Sequence, residues 1–143
     1  MDSLRQNIVQ FFDKFQSANE NFNVELVGSC YADEFLFGQP QGVKAVKKED
    51  FLRVLPRRKD FFENTGRQSS SLVFLEEKVL DENYVEVKTE WEILYKKDEK
   101  LIKNLISTTY ILYKKDKSFQ IVFQIDHQDL MKRVQELGLV PVS

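Results

Sequence analysis

The only histidine, His127, lies in the run Asp126-His127-Gln128-Asp129, where an imidazole between carboxylates could shuttle protons. It also lies beside a predicted helix start. There capping or hydrogen bonding is its ordinary use, and the helix N-terminus disfavours the imidazolium that the aspartates favour. Tyr31, Tyr95 and Tyr110 carry hydroxyls that could polarise a ligand carbonyl as oxyanion donors do. Each is equally an ordinary strand residue with an apolar ring and a wet tip. Asp33 and Glu34 stand where a helix gives way to the run Phe35-Leu36-Phe37. Beside Phe35, Phe37 and Trp91 the Asp33 carboxyl would be desolvated and its pKa raised, whereas at a turn it would hydrogen-bond backbone. Gln124 is a polar residue of the last strand that points into a pocket or across a dimer face. Cys30 reads as a small core residue. One His and one Cys exclude the common structural zinc sites, and no nucleotide fingerprint or nucleophile elbow is present, so neither metal nor cofactor is expected.

Helices must position the first of these residues. Leu4, Ile8, Phe11, Phe12 and Phe15 fall at helical spacing over 3–17, with Asp2 or Ser3 as cap. A break at 17–21 precedes a shorter helix from about 23 to 31, with Leu26, Val27 and Cys30 inward. Phe35 and Phe37 then alternate in a short strand, which Gly38, Pro40 and Gly42 turn. An apolar stripe of Phe51, Leu52, Leu55, Phe61 and Phe62 predicts helix over 48–64, kinked or split at Pro56 and stopped at Thr65-Gly66.

The period then changes from helical to alternating. Residues 71–80, 84–96, 105–114 and 118–126 read as four strands of an antiparallel meander. In the second, Val85, Val87, Thr89, Trp91, Ile93 and Tyr95 share one face, opposite charged residues. The third is apolar on both faces, which suits a central strand. In the fourth, alternation puts Phe119, Ile121, Phe123 and Ile125 on one face and Gln120, Val122, Gln124 and Asp126 on the other. The tail reads as a last helix, with Asp126 as N-cap and Asp129 near the third position. Helices followed by a meander give an α+β class.

With 143 residues the chain makes one domain over 1–143, large enough to bury a core without disulfide or metal. A net charge of −2 argues against nucleic-acid binding by phosphate neutralisation. The N-terminus has no signal-peptide pattern, and no apolar run approaches the ~20 residues of a membrane span. A cytoplasmic protein is the default, and one Cys suits it. Twelve Phe residues against one Trp supply a large aromatic core, the walls of a pocket for a flat ligand, or both.

Taken together, Tyr31-Ala32-Asp33-Glu34-Phe35, Pro40, Gly42, Trp91 and the run from Ile121 to Leu130 resemble the nuclear transport factor two-like superfamily, closest in style to its SnoaL-like branch. The resemblance implies a cone-shaped α+β barrel. Its curved antiparallel sheet wraps around the N-terminal helices, with a pocket at the open end and a short C-terminal helix. The implied pocket takes Phe35, Phe37, Trp91, Tyr95 and Gln124. Members include isomerases, dehydratases, cyclases and non-catalytic binding modules, and many are homodimers through the sheet, so the site must decide function. Enzymes of the superfamily often use one pocket carboxylate as general base or acid, a role that would fall to Asp33, with Tyr31 or Tyr110 as carbonyl donor. One branch uses an aspartate–arginine–aspartate relay that Asp33, Arg57 and Asp60 could imitate. Solvated charges beside Pro56, Arg58 among them, are the simpler account. A domain binding a small apolar or aromatic ligand leads. An acid–base enzyme acting on a carbonyl compound comes second, and a dimeric interaction module third.

Overall fold

The computed structural model describes residues 3–116 and 118–139. Helix α1 (Leu4–Glu20) opens on a capping box in which Ser3 and Gln6 satisfy each other's backbone N–H groups, so Ser3 is the cap and Asp2 lies outside the described residues. Its buried face is the predicted one: Ile8, Phe11, Phe12, Phe15 and Ala18. Helix α2 (Val24–Ser29) is shorter than its pattern suggests. Leu26 is exposed, and Tyr31 begins strand β1 (Tyr31–Gln39) rather than ending the helix. The short strand expected around Phe35 and Phe37 is β1, and an unpredicted strand, β2 (Gly42–Lys47), pairs antiparallel with it. Pro56 divides the next stretch into α3 (Lys48–Arg53) and α4 (Leu55–Asn64), since a proline early in a helix costs no hydrogen bond there. Gly66 follows with φ +80°, and a Cβ there would run into the Lys96 carbonyl oxygen. Only glycine fits, which lets β3 (Arg67–Val79) leave α4 at this angle.

The meander continues through β4 (Tyr84–Lys97), β5 (Lys100–Lys115) and β6 (Ser118–Asp126) to α5 (Leu130–Glu136). The polar segment 96–104 is not a loop. Asp98 and Glu99 form a two-residue turn with φ of 51° and 67°, and the ladder continues on both sides. Asp98 suits such a turn but Glu99 stands where glycine is usual, and β5 starts five residues early. Asp81 makes the preceding turn by accepting from Asn83 N and Tyr84 N at 2.7 and 2.9 Å.

The six strands run in the order β2-β1-β6-β5-β4-β3. This curved sheet is unclosed and mixed, because β1 joins β6 in parallel, so the expected all-antiparallel barrel is corrected in those two respects. Helix α1 lies along the β3 end of the sheet. Gln16 and Glu20 accept from Leu72 N and Ser70 N at 3.2 and 3.3 Å, and Arg5 donates to Leu75 O at 2.9 Å. These bonds occupy backbone groups that an edge strand would offer to another chain. No helix among the described residues is long and apolar enough to cross a membrane.

Candidate functional site

The inner face of the sheet is set in β4 by Val85, Val87, Thr89, Trp91, Ile93 and Tyr95, all buried as alternation predicts. Pairing carries that face to Ile106, Thr108, Tyr110 and Leu112 of β5. In β6 simple alternation fails. Leu112 faces Ile121 while its neighbour Ile111 faces Phe123, so Val122 is an extra, bulged residue. Phe119 and Ile121 therefore point inward together with Gln124 and Asp126, which pair opposite Tyr110 and Thr108. Phe123 and Ile125 move to the outer face. The predicted single face of Phe119, Ile121, Phe123 and Ile125 is thus split by the bulge.

Between this inner face, the end of α1 and α4 lies a cavity of about 120 Å³. Its inner part is made by Tyr31, Trp91, Tyr110, Thr108, Gln124 and Asp126, and its other side by Phe15, Leu55, Phe62, Arg58 and Arg67. A chain of hydrogen bonds crosses the inner part. The Tyr31 hydroxyl donates to Gln124 Oε1 at 2.6 Å, Gln124 Nε2 to Asp126 Oδ1 at 3.2 Å, and Thr108 Oγ1 to the same oxygen at 3.3 Å. Asp126 is free for this role because Asp129, not Asp126, caps α5, accepting from Lys132 N at 3.1 Å.

Burial pushes the Asp126 carboxyl above its ordinary value of 3.8, against the pull of Gln124, Arg58, Thr108 and His127. Burial likewise raises Tyr31 and Tyr110, helped by Asp126, so both phenols keep their protons. The Trp91 indole stands close enough to the Tyr110 oxygen to favour its ionised form, but its buried N–H closes no hydrogen bond among the described residues. Arg67 is stacked on Phe62 at 4.8 Å and Phe22 at 5.2 Å and donates to Ser70 Oγ at 3.1 Å. Arg58 lies 5.8 Å from the Phe51 ring and 6.0 Å from the Phe62 ring.

Of the expected site residues, Tyr31, Tyr110, Trp91 and Gln124 come together in this cavity. Asp33 does not. It faces solvent on β1, its side chain 101% exposed and 3.5 Å from Lys48 Nζ, so nothing desolvates it. Phe35 is core, its ring 4.5 Å from that of Tyr31 and 5.4 Å from that of Phe51. Phe37 packs against the same core without lining the cavity. Tyr95 belongs to a second cluster with Ile93, Val134 and Leu139. His127 is exposed before α5, 2.7 Å from Thr109 Oγ1 on the outer face. Arg57 and Asp60 are exposed and Arg58 is turned inward, so Asp33, Arg57 and Asp60 do not form a relay. Asp126 is the carboxylate that sequence reasoning missed. Its signal was the second aspartate, Asp129, at a better capping position.

Asp126→Asn should make the fold more stable at neutral and alkaline pH and flatten its pH dependence. An acid whose pKa is higher folded than unfolded loses stability as pH rises from the ordinary value through the raised one, and stays penalised above it. Each pKa unit is worth about 1.4 kcal/mol. Urea unfolding of both proteins at pH 4 and pH 8 tests this. A wild-type-minus-variant difference that does not grow with pH would contradict it.

No family model matches the sequence, and no curated protein matches it. Solved structures do match in fold. An NTF-2 like protein of unknown function from Shewanella oneidensis superposes with TM-score 0.69 at 14% identity, over 88% of this chain and 100% of its own. An NTF2-like protein with a cystatin-like fold from Novosphingobium aromaticivorans gives 0.72 at 6% identity, over 96% and 89%. The beta subunit of benzoate 1,2-dioxygenase from Burkholderia mallei gives 0.69 at 13% identity, over 92% and 94%. At these identities the likeness is one of fold.

Proposed function

From the nuclear transport factor two-like (NTF2-like), cystatin-like fold of this chain, we propose that it is a small-molecule-binding domain whose ligand occupies the aromatic-lined cavity. The observation that carries this reading is Trp91. It lines the cavity, is 7% exposed, and its indole N–H, near the Tyr110 oxygen, closes no hydrogen bond among the described residues. A buried donor left unpaired costs about 1–3 kcal/mol, and a ligand acceptor would remove that cost. A volume of about 120 Å³ is close to that of cavities which take up one aromatic ring.

Acid–base catalysis on a carbonyl compound is the second reading. It is favoured by one arrangement, a carboxyl of raised pKa in the same cavity as two protonated phenols. Asp126 rather than Asp33 would then carry the proton. The two readings share a site, as fold alone does not choose between them.

The domain also pairs with a second copy, in this reading, through the outer face of the sheet. Support comes from Leu36, Ile111, Phe123 and Ile125, which the register places together on that face. The lone buried thiol of Cys30 suits a reducing, cytoplasmic setting.

Native mass spectrometry of gently purified protein tests binding and pairing in one spectrum. We expect twice the chain mass and an added small mass that Trp91→Phe sheds. Protein that stays bare, and whose Trp91 emission no small aromatic compound alters, would overturn the binding reading. A bare monomeric mass would overturn the pairing.

A further inference from the structure

Two guanidinium groups line one small cavity. Neither Arg58 nor Arg67 makes an ion pair with any described residue. Arg67 is nonetheless occupied, held between Phe22 and Phe62 and bonded to Ser70. Arg58 lies over the Phe51 and Phe62 rings at the longer distances of 5.8 and 6.0 Å, and no hydrogen bond of its side chain is formed within the described residues. It is half-buried, and its charge acts on Tyr31, Tyr110 and Asp126 alike, which places it over the polar end of the cavity. A partly desolvated guanidinium without a counter-ion is a strong donor fork in want of an acceptor. The buried Trp91 N–H, lining the same space, is a second unpartnered donor.

Asp126 does not fill that demand. Its carboxyl accepts from Gln124 and Thr108, no ion pair joins it to Arg58, and burial favours its neutral form. Burial disfavours the charged form of Asp126, and an arriving anion disfavours it further, driving the carboxyl toward the protonated form that donates. The remaining walls are apolar at Phe15, Leu55, Phe62 and Ile106, while the polar Glu20 and Ser70 lie at the Arg67 end, Glu20 accepting from Ser70 N.

Building on the binding reading above, we propose that the ligand is a small planar carboxylate, its anionic head on the Arg58 fork and within reach of the Trp91 N–H, its ring among the aromatic walls. A carboxylate rather than a phosphate is the match, because a planar two-oxygen head meets the planar fork in a slot one ring wide.

Trp91 is the only tryptophan of the chain, so its emission reports this cavity alone. The full-length protein is titrated with phenylacetate, with the neutral isostere phenylacetamide and with inorganic phosphate. We expect saturable change with phenylacetate, at least about tenfold weaker response to phenylacetamide and none to phosphate, since a charge-assisted contact is worth about that factor or more. Arg58→Gln should lower phenylacetate affinity about tenfold or more and bring it level with the amide, while Arg58→Lys restores part of the preference. Phenylacetamide binding as tightly as phenylacetate would overturn the anion assignment and leave the cavity reading standing. Phosphate binding as well as phenylacetate would overturn the carboxylate class. No response to either aromatic compound would overturn both. The wild-type comparison needs no variant, so a poorly folding Arg58→Gln does not shield the proposal.

Discussion

Deleting Val122 is expected to destabilise the domain by about 3 kcal/mol or more, either by exposing core side chains or by dismantling the polar end of the cavity. Val122 is the extra residue that lets Phe119 and Ile121 share the inner face with Gln124 and Asp126. Without it β6 regains strict alternation, and one of the two pairs must change face. If Gln124 and Asp126 stay inward, Phe119 and Ile121, now 7% and 0% exposed, turn to solvent. Each such side chain is worth about 1.5–3 kcal/mol. If the apolar pair stays, the Tyr31 hydroxyl loses Gln124 and remains buried without an acceptor, at about 1–3 kcal/mol. Phe123 and Ile125 would then crowd a wall built for two polar side chains, adding to that cost. Urea unfolding measures the loss of stability. Where the polar pair is the one that turns outward, the pH-dependent penalty that Asp126 imposes is lost as well. A deletion variant with wild-type stability and unchanged pH dependence would show that Val122 does not set the register.

The second large effect lies behind the cavity. Phe12→Ala should cost about 3–5 kcal/mol, the usual range for a buried phenylalanine cut to alanine. Phe12 is 0% exposed. Its ring lies 5.1 Å from those of Phe11 and Tyr110 and 5.9 Å from that of Phe15. Two of these neighbours, Phe15 and Tyr110, also line the cavity, so the void opens directly behind the site. Thermal unfolding should show the stability loss, and Trp91 emission should shift because Phe15 lies 6.1 Å from its ring. A loss under about 1 kcal/mol would mean that the helix-to-sheet contact collapses to fill the space, against the close packing expected of such a core.

What could be read directly from the chain is what neighbours along the chain decide. The buried stripe of α1 follows from 3.6-residue periodicity, and the Ser3–Gln6 box from two residues three apart. The break before α4 follows from the ring of Pro56, and the turn at Gly66 from its missing Cβ. The inner face of β4 follows from alternation over a strand without a bulge, and the NTF2-like layout from the order of such elements. The parallel joining of β1 to β6 was not legible, because it unites segments some 90 positions apart. The two-residue turn at Asp98-Glu99 was hidden because Glu99 holds the position where glycine usually follows an aspartate of positive φ.

The site was hidden for the same physical reason. Asp33 and Asp126 are equally plausible carboxylates on paper. Register with β5 and one bulged residue bury Asp126 beside Tyr31 and Gln124, while the outward turn of β1 leaves Asp33 in solvent with Lys48. Sequence alone determined which residues could be strand, helix and core, since those preferences act locally. Only the tertiary structure decided which carboxylate lies in the cavity, because a strand's facing depends on the partner it pairs with, and one extra residue reverses every side chain beyond it.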